Sequence, residues 1–173
     1  MNIADFLNKY WEFWASVDFE IEMPDSIRVA QLKEFIEFLE KEIQKFPSSA
    51  SLYVYLGNVV RWCEYFGFAL DLSDAQYYYE KSISTDPLCY RGYDELASHF
   101  DIKEKLEESK NLYEQAYNLS GDIRVAISYA QVLQQLCQHD EAQEVINKVK
   151  NKCEGYLRDI LKLQSEIDFA NQV

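Results

Sequence analysis

Apolar residues recur along most of this chain at intervals of three and four positions, the spacing that places them on one face of an α-helix. The stretch from Pro87 to Gly121 shows the pattern most clearly. Its first half carries Leu96 and Phe100 on one stripe, and its second half carries another stripe that includes Tyr113. The pattern predicts two amphipathic helices joined by a short polar turn, with Gly121 as the C-cap of the second.

Prolines, glycines and polar clusters divide the rest of the sequence into further helices. Clear breaks fall at Pro24, at Pro47 and in the irregular stretch 67–74. The pattern predicts about nine helices, of which the first covers 2–18 and the ninth about 156–170. No stretch alternates apolar and polar residues for long enough to favour a strand, so the expected fold class is all-α. N-terminal caps are expected at Ser73 or Asp74 and at Asp122.

The composition indicates a folded domain rather than a disordered chain. Of the 173 residues, 48% are hydrophobic and 15% are aromatic, which is enough to bury a sizeable core. The formal net charge of −13 repels nucleic-acid phosphates and anionic membranes, so neither is expected as a partner. The acidity favours a basic partner, or it serves only to keep an aromatic-rich protein soluble.

Residue types that carry chemistry are sparse. The four cysteines lack the CxxC spacing of a zinc site and are predicted to be buried, reduced thiols of a cytoplasmic protein. Neither His99 nor His139 belongs to a set with metal-ligand spacing. The N-terminus lacks the features of a secretory signal, and no stretch has the ~18 apolar residues of a membrane span. We therefore expect no enzyme, no cofactor and no metal.

The breaks between helices recur with a period. Gly121 lies 34 residues after Pro87 and 34 before Gly155, while Pro47 lies 40 before Pro87. Each interval also holds a small residue in its first helix and another in its second. These pairs are Gly57 with Ala75, Ala97 with Ser109, and Ala130 with Ala142. A period of about 34 residues with two helices per unit resembles the tetratricopeptide repeat (TPR) family.

The resemblance covers about residues 47–155 as three repeats. It implies a single domain over 1–173, built as a TPR-like α-solenoid of antiparallel helix hairpins. In this organisation residues 1–46 form a degenerate N-terminal helix pair, and residues 156–173 form a C-terminal capping helix. The small residues would let paired helices approach closely, and the aromatic residues would fill the space between neighbouring pairs.

Proteins of this family bind peptides or protein domains, commonly along a concave groove lined by the first helix of each repeat. The resemblance therefore implies a non-catalytic interaction module, and the mixed aromatic, polar and acidic character of the groove residues favours a neutral or basic protein or peptide as the partner. Val54 and Ile127 are expected to face the groove. The residues chosen as the candidate partner-binding site are Tyr55, Asn58, Arg61, Arg91, Asp94, Glu95, Ser98, Asp101, Gln131 and Gln134.

Some TPR domains hold the C-terminal carboxylate of a chaperone in a basic clamp. Asn58 matches one clamp position, but Val54 and Asp94 stand where cations are needed, so no such clamp is predicted.

A second hypothesis is a small acidic immunity protein or antitoxin of bacterial type. Such a protein would neutralise a basic, nuclease-like toxin by direct binding, since opposite charges steer the two together. An adaptor and an inhibitor would share the same fold. The sequence leaves open which of the two applies, which face of the solenoid binds, and the oligomeric state.

Overall fold

The computed structural model describes residues 8–10, 12–13, 25–69, 72–150 and 162–163. Seven helices in these ranges have defined bounds: α1 (Asp25–Lys45), α2 (Ala50–Tyr65), α3 (Ala75–Thr85), α4 (Tyr90–Ile102), α5 (Leu106–Ser120), α6 (Ile123–Gln135) and α7 (His139–Val149). Residues 8–10, 12–13 and 162–163 are helical as well, and the described ranges contain no strand. The predicted all-α class is confirmed. Most of the predicted first and ninth helices lies outside the described residues.

The helices α2 to α7 form three consecutive hairpins. The hairpins pair α2 with α3, α4 with α5, and α6 with α7. The second helix of each hairpin packs on the first helix of the next, so that α3 contacts α4 and α5 contacts α6. In addition, α2 contacts α4 directly, while α1 packs on α2. This stack is the predicted antiparallel hairpin solenoid, and the domain boundaries proposed from the sequence stay a prediction.

The three hairpins turn in the same way. Two positions beyond the end of each first helix lies a residue with left-handed backbone geometry: Gly67 (φ 71°), Glu104 (φ 58°) and Cys137 (φ 58°). After each of these residues an amide donates to the carbonyl five positions earlier, which closes a Schellman turn. These bonds run from Phe68 to Cys63 (2.8 Å), from Lys105 to Phe100 (2.9 Å) and from Gln138 to Leu133 (2.9 Å). The same backbone hydrogen bond therefore recurs in the turn of each hairpin.

The helix caps predicted at Asp74 and Asp122 are present, whereas Ser49 precedes α2 without a side-chain capping hydrogen bond. The Asp74 carboxylate accepts from the amide of Tyr77 at 2.9 Å, and the Asp122 carboxylate accepts from the amide of Arg124 at 2.8 Å. Gly121 follows α5 with a φ of +60°, a conformation that glycine adopts without the steric cost of a Cβ atom. These caps fix where α3 and α6 begin and where α5 ends.

The small residues lie where the hairpins close. Ala75, Ala97, Ala130 and Ala142 have no exposed surface. Ser109 is equally buried, and its hydroxyl donates to the carbonyl of Ala97 at 2.9 Å. The contacts of Gly57 are the tightest, because a Cβ atom there would lie 2.6 Å from a ring carbon of Tyr79. The predicted role of small residues in close helix packing is confirmed.

One prediction about the cysteines is wrong. Cys63 is buried as expected, and burial raises the pKa of its thiol to about 11. Cys89 is only partly buried, however, and Cys137 is exposed. Cys137 occupies the left-handed position of the third hairpin turn, and such turns lie at the surface, where the backbone reverses between two helices.

Candidate functional site

Polar side chains join the first helices of the first two hairpins. Three cross-helix hydrogen bonds run along the contact between α2 and α4, and in each the two residues are 36 or 37 positions apart. Successive bonds are spaced by about one helical turn, so all of them lie on the same side of the stack. The bonded pairs, each at 3.3 Å, are Tyr55 with Arg91, Asn58 with Glu95, and Arg61 with Ser98.

The centre of this contact, which we call the first junction, is an ion pair. A guanidinium nitrogen of Arg61 lies 3.1 Å from a carboxylate oxygen of Glu95, and about a quarter of each side chain is exposed. The Asn58 amide extends the network, since its nitrogen donates to Glu95 and its oxygen accepts from the Tyr79 hydroxyl at 2.8 Å. Charges and hydrogen bonds at the first junction are therefore largely satisfied within the protein.

The corresponding contact between α4 and α6, which we call the second junction, has a different composition. The Tyr113 hydroxyl, supplied by α5, lies near Ser98 of α4 and Ser128 of α6, and both serines favour its ionised form. Burial raises the pKa of this hydroxyl, and the nearby carboxylates of Asp94 and Asp101 raise it further. A buried neutral phenol thus lies between two serines and two acidic residues.

The two carboxylates of the second junction are electrostatically disfavoured. Burial and, second, the charge of Glu95 raise the pKa of Asp94 to about 6. Arg124 and Arg61 offset this effect only in part, and Arg124 is also engaged with Asp122 at 3.4 Å. Burial likewise raises the pKa of Asp101, and the nearby neutral amide of Gln135 lowers it only in part. Burial therefore disfavours the charged form of both carboxyl groups at the second junction.

The structure brings together eight of the ten candidate residues along α2 and α4. The remaining two, Gln131 and Gln134, lie on α6, where Gln131 is exposed and Gln134 is partly buried. Two other sequence expectations are wrong. Val54 and Ile127, which were expected to face the groove, are 2% and 8% exposed and belong to the core. Burying an aliphatic side chain of this size stabilises the fold by roughly 1.5–3 kcal/mol, which favours the core position.

Sequence reasoning missed the part played by the second helices. Tyr79 and Tyr113 are 34 residues apart, at equivalent positions of consecutive repeats. The Tyr79 hydroxyl donates to Asn58 of the preceding first helix, and the Tyr113 hydroxyl lies near Ser98 of the preceding first helix. The sequence contained enough information to predict this role of the two tyrosines. A buried tyrosine hydroxyl requires a hydrogen-bond partner, and the repeat defines where that partner lies.

The described residues offer no metal-binding cluster and no membrane-spanning helix. Within the described ranges, no cluster of three or more His, Cys, Asp and Glu side chains has the arrangement of a metal site. His99 is 3% exposed, and burial lowers its pKa, so its imidazole is neutral at pH 7. None of the helices in the described part of the chain combines the length and the apolar character that a membrane span requires.

No family model and no curated protein matches the sequence. Solved structures, in contrast, match along most of the chain. TTC0263, a thermophilic TPR protein in Thermus thermophilus, is 12% identical with a TM-score of 0.63 and covers 95% of this chain and 93% of its own. MamA is 15% identical with a TM-score of 0.60, covering 89% and 97%. YrrB, a TPR protein with an unusual peptide-binding site, is 17% identical with a TM-score of 0.57, covering 78% and 75%.

Identities of 12–17% show likeness of fold. The three-hairpin stack, its small-residue contacts and its recurring turns therefore define an all-α solenoid with the TPR fold, as the sequence predicted.

Proposed function

We propose that this protein is a non-catalytic interaction module that binds a protein or peptide partner, neutral or basic, along the side formed by α2, α4 and α6. The observation that carries the proposal is the unequal charge of the two junctions. At the first junction Arg61 neutralises Glu95. At the second junction Asp94 and Asp101 are partly buried, and burial raises the pKa of both carboxyl groups.

A cationic ligand would relieve this imbalance. A partly desolvated carboxylate loses hydration, and an opposite charge placed close to it restores favourable electrostatics. A lysine or arginine of a partner that reached Asp94 and Asp101 would therefore contribute more binding free energy there than on a fully solvated acidic surface. The long polar side chains of Gln131 and Gln134 flank the same region and offer hydrogen bonds to a peptide backbone. The peptide-binding site of YrrB, on the same fold, agrees with this type of ligand.

Site-specific photocrosslinking in the native cell tests the proposal. A benzoylphenylalanine residue at Gln131 reports on the proposed side, and one at Glu114, which is exposed on α5, serves as the control. We expect a discrete crosslinked partner from position 131 that is absent from position 114. The double variant Asp94→Lys with Asp101→Lys should abolish this crosslink while leaving the far-UV circular dichroism unchanged. Equal crosslinking from both positions would contradict a binding site on this side.

The net charge of −13 favours a second candidate, an inhibitor that neutralises a basic toxin in the cytoplasm. The identity and activity of the crosslinked partner separate the two candidates. A basic nuclease whose activity falls when stoichiometric protein is added would establish the inhibitor. A partner that keeps its activity in the complex would instead establish an adaptor.

A further inference from the structure

The buried core of the solenoid divides into two clusters, and the division falls within α4. Leu96 belongs to a cluster with buried residues of α1, α2 and α3, whereas Ala97 belongs to a cluster with buried residues of α5, α6 and α7. We call the contacts of α2 and α3 with α4 the hairpin boundary, because the first hairpin meets the second there. In a repeat array each unit contacts only its neighbours, so a group that weakens this boundary loosens one hairpin against the next.

A histidine is buried at the hairpin boundary. His99 of α4 is 3% exposed, and its ring lies 6.2 Å from the ring of Tyr79 on α3, with 67° between the two planes. Burial raises the pKa of the Tyr79 hydroxyl, so this neighbour is neutral. The Nε2 atom of His99 is itself buried and has no hydrogen-bond partner among the described residues.

This position suits a neutral imidazole better than a charged one. A neutral imidazole can leave Nε2 unprotonated, as an acceptor, whereas an imidazolium has a donating N–H group on both ring nitrogens. Protonation of His99 in the closed structure would therefore bury a charged donor that has lost its bond to water and gained no acceptor.

Charged groups of both signs surround the His99 imidazole. Burial is the main reason why the pKa of His99 is lowered, and the positive charge of Lys103 at the end of α4 is the second. On α2, the carboxylate of Glu64 opposes this shift and the guanidinium of Arg61 reinforces it. Asp74, which precedes α3, opposes it more weakly. The charges of opposite sign leave the effect of burial in place, so the closed boundary favours the neutral form.

The two acidic neighbours of His99 are already engaged at the start of α3. A carboxylate oxygen of Glu64 accepts from the amide of Ala75 at 2.8 Å, and one of Asp74 accepts from the amide of Tyr77 at 2.9 Å. An imidazolium that drew either carboxylate away would remove a hydrogen bond from the first turn of α3. Pairing a protonated His99 inside the closed boundary would thus disturb the helix packed against it.

We propose that His99 is a pH-sensitive switch, in which protonation of its imidazole weakens the hairpin boundary and lets the first hairpin move away from the second. The charged form is stabilised once the boundary opens and water reaches the ring. Because α4 also carries Asp94 and Asp101, opening would displace one wall of the proposed binding side. The switch requires no bound partner and therefore does not depend on the proposed function.

The lowered pKa determines the direction of the pH dependence. A solvated histidine takes up its proton near pH 6.5, whereas His99 in the closed structure does so only at lower pH. The closed boundary is therefore fully favoured above about pH 6.5, loses stability as the pH falls to the pKa of the closed state, and loses no more below it. Asp94 titrates with the opposite sign, because its pKa is raised to about 6, but it is present in every protein compared.

Hydrogen–deuterium exchange at pH 7.5 and pH 5 tests the switch, with rates corrected for the intrinsic pH dependence of exchange. In the wild-type protein the protection of amides in α3 should fall about fivefold or more at pH 5, while that of amides in α7 should change less than about twofold. In His99→Gln, which cannot take up the proton, α3 should keep its protection. The matched control is His139→Gln, which replaces the other histidine of the chain and should behave like the wild-type protein.

A titration of the wild-type protein removes any dependence on how well His99→Gln folds. The NMR signal of the imidazole that persists in His139→Gln belongs to His99, and it should titrate below about pH 6.5. Titration of His99 at or above this pH would overturn the proposal. The same loss of α3 protection in His99→Gln as in the wild-type protein, equal losses in α3 and α7, or a pH response abolished by His139→Gln would also overturn it.

Discussion

The two junctions of this solenoid use the same helix, α4, in opposite ways. On the side facing α2, Glu95 is held by Arg61 at 3.1 Å and by Asn58 at 3.3 Å. On the side facing α6, the adjacent residue Asp94 is partly buried, and burial with the repulsion from Glu95 raises its pKa to about 6. Two consecutive acidic residues thus face different neighbours, because successive side chains on a helix are about 100° apart.

The difference distinguishes a junction that stabilises the fold from one that is a candidate for binding a partner. A charge that is paired and hydrogen-bonded at a contact between helices holds the two helices in register. A charge that is partly desolvated without full compensation costs stability in the isolated protein, and such groups cluster at functional sites. The first junction therefore fits a structural role, and the second junction is the better candidate for a cationic ligand.

The largest expected effect comes from disturbing the packing beneath the first junction. Gly57→Ala would place a Cβ atom 2.6 Å from the Tyr79 ring, which is fully buried and whose hydroxyl holds Asn58. We expect the free energy of unfolding, measured by urea denaturation, to fall by about 2–3 kcal/mol. The control is Ala97→Gly at the equivalent position of the next repeat, which should cost about 1–2 kcal/mol through lower helix propensity and the loss of one buried methyl group. Equal effects would mean that the Tyr79 contact is not critical.

A smaller loss is expected from Glu95→Ala. The change removes the ion pair with Arg61 and the hydrogen bond from Asn58, and we expect it to cost about 1.5 kcal/mol, moderated because both charged groups are a quarter exposed. A double-mutant cycle with Arg61→Ala isolates the pair. A coupling energy near zero would show that the ion pair does not contribute to stability. The first junction would then no longer differ from the second in having a stabilising charge pair.

The sequence was sufficient for the architecture. The 34-residue spacing of Pro87 and Gly121 and the small residues of each hairpin come from backbone and packing requirements that repeat, so they are visible in a single chain. The site was predicted less well, because the direction in which Asp94 and Glu95 point depends on the rotation of α4. Val54 was misplaced for the same reason, since a small change in helix rotation decides whether a side chain faces the groove or the core.

The smallest effect has the opposite sign and tests the second junction directly. Asp94→Asn removes a charge that the fold disfavours, so we expect the variant to be more stable than the wild-type protein by about 1 kcal/mol at pH 7.5, after allowance for solvent screening.

The pKa of Asp94 is about 6 in the folded protein and near 3.8 in the unfolded chain, so the native state gains a proton first as the pH falls. The wild-type penalty is therefore present above pH 6, declines between pH 6 and 4, and disappears below pH 4, where both proteins should be equally stable. Urea denaturation at pH 7.5, 5 and 3.5 measures this convergence, with Glu95→Gln as the neighbour that should lose stability at pH 7.5. A destabilised Asp94→Asn at neutral pH would show that this carboxylate is as well compensated as Glu95, and the second junction would then be a structural contact like the first.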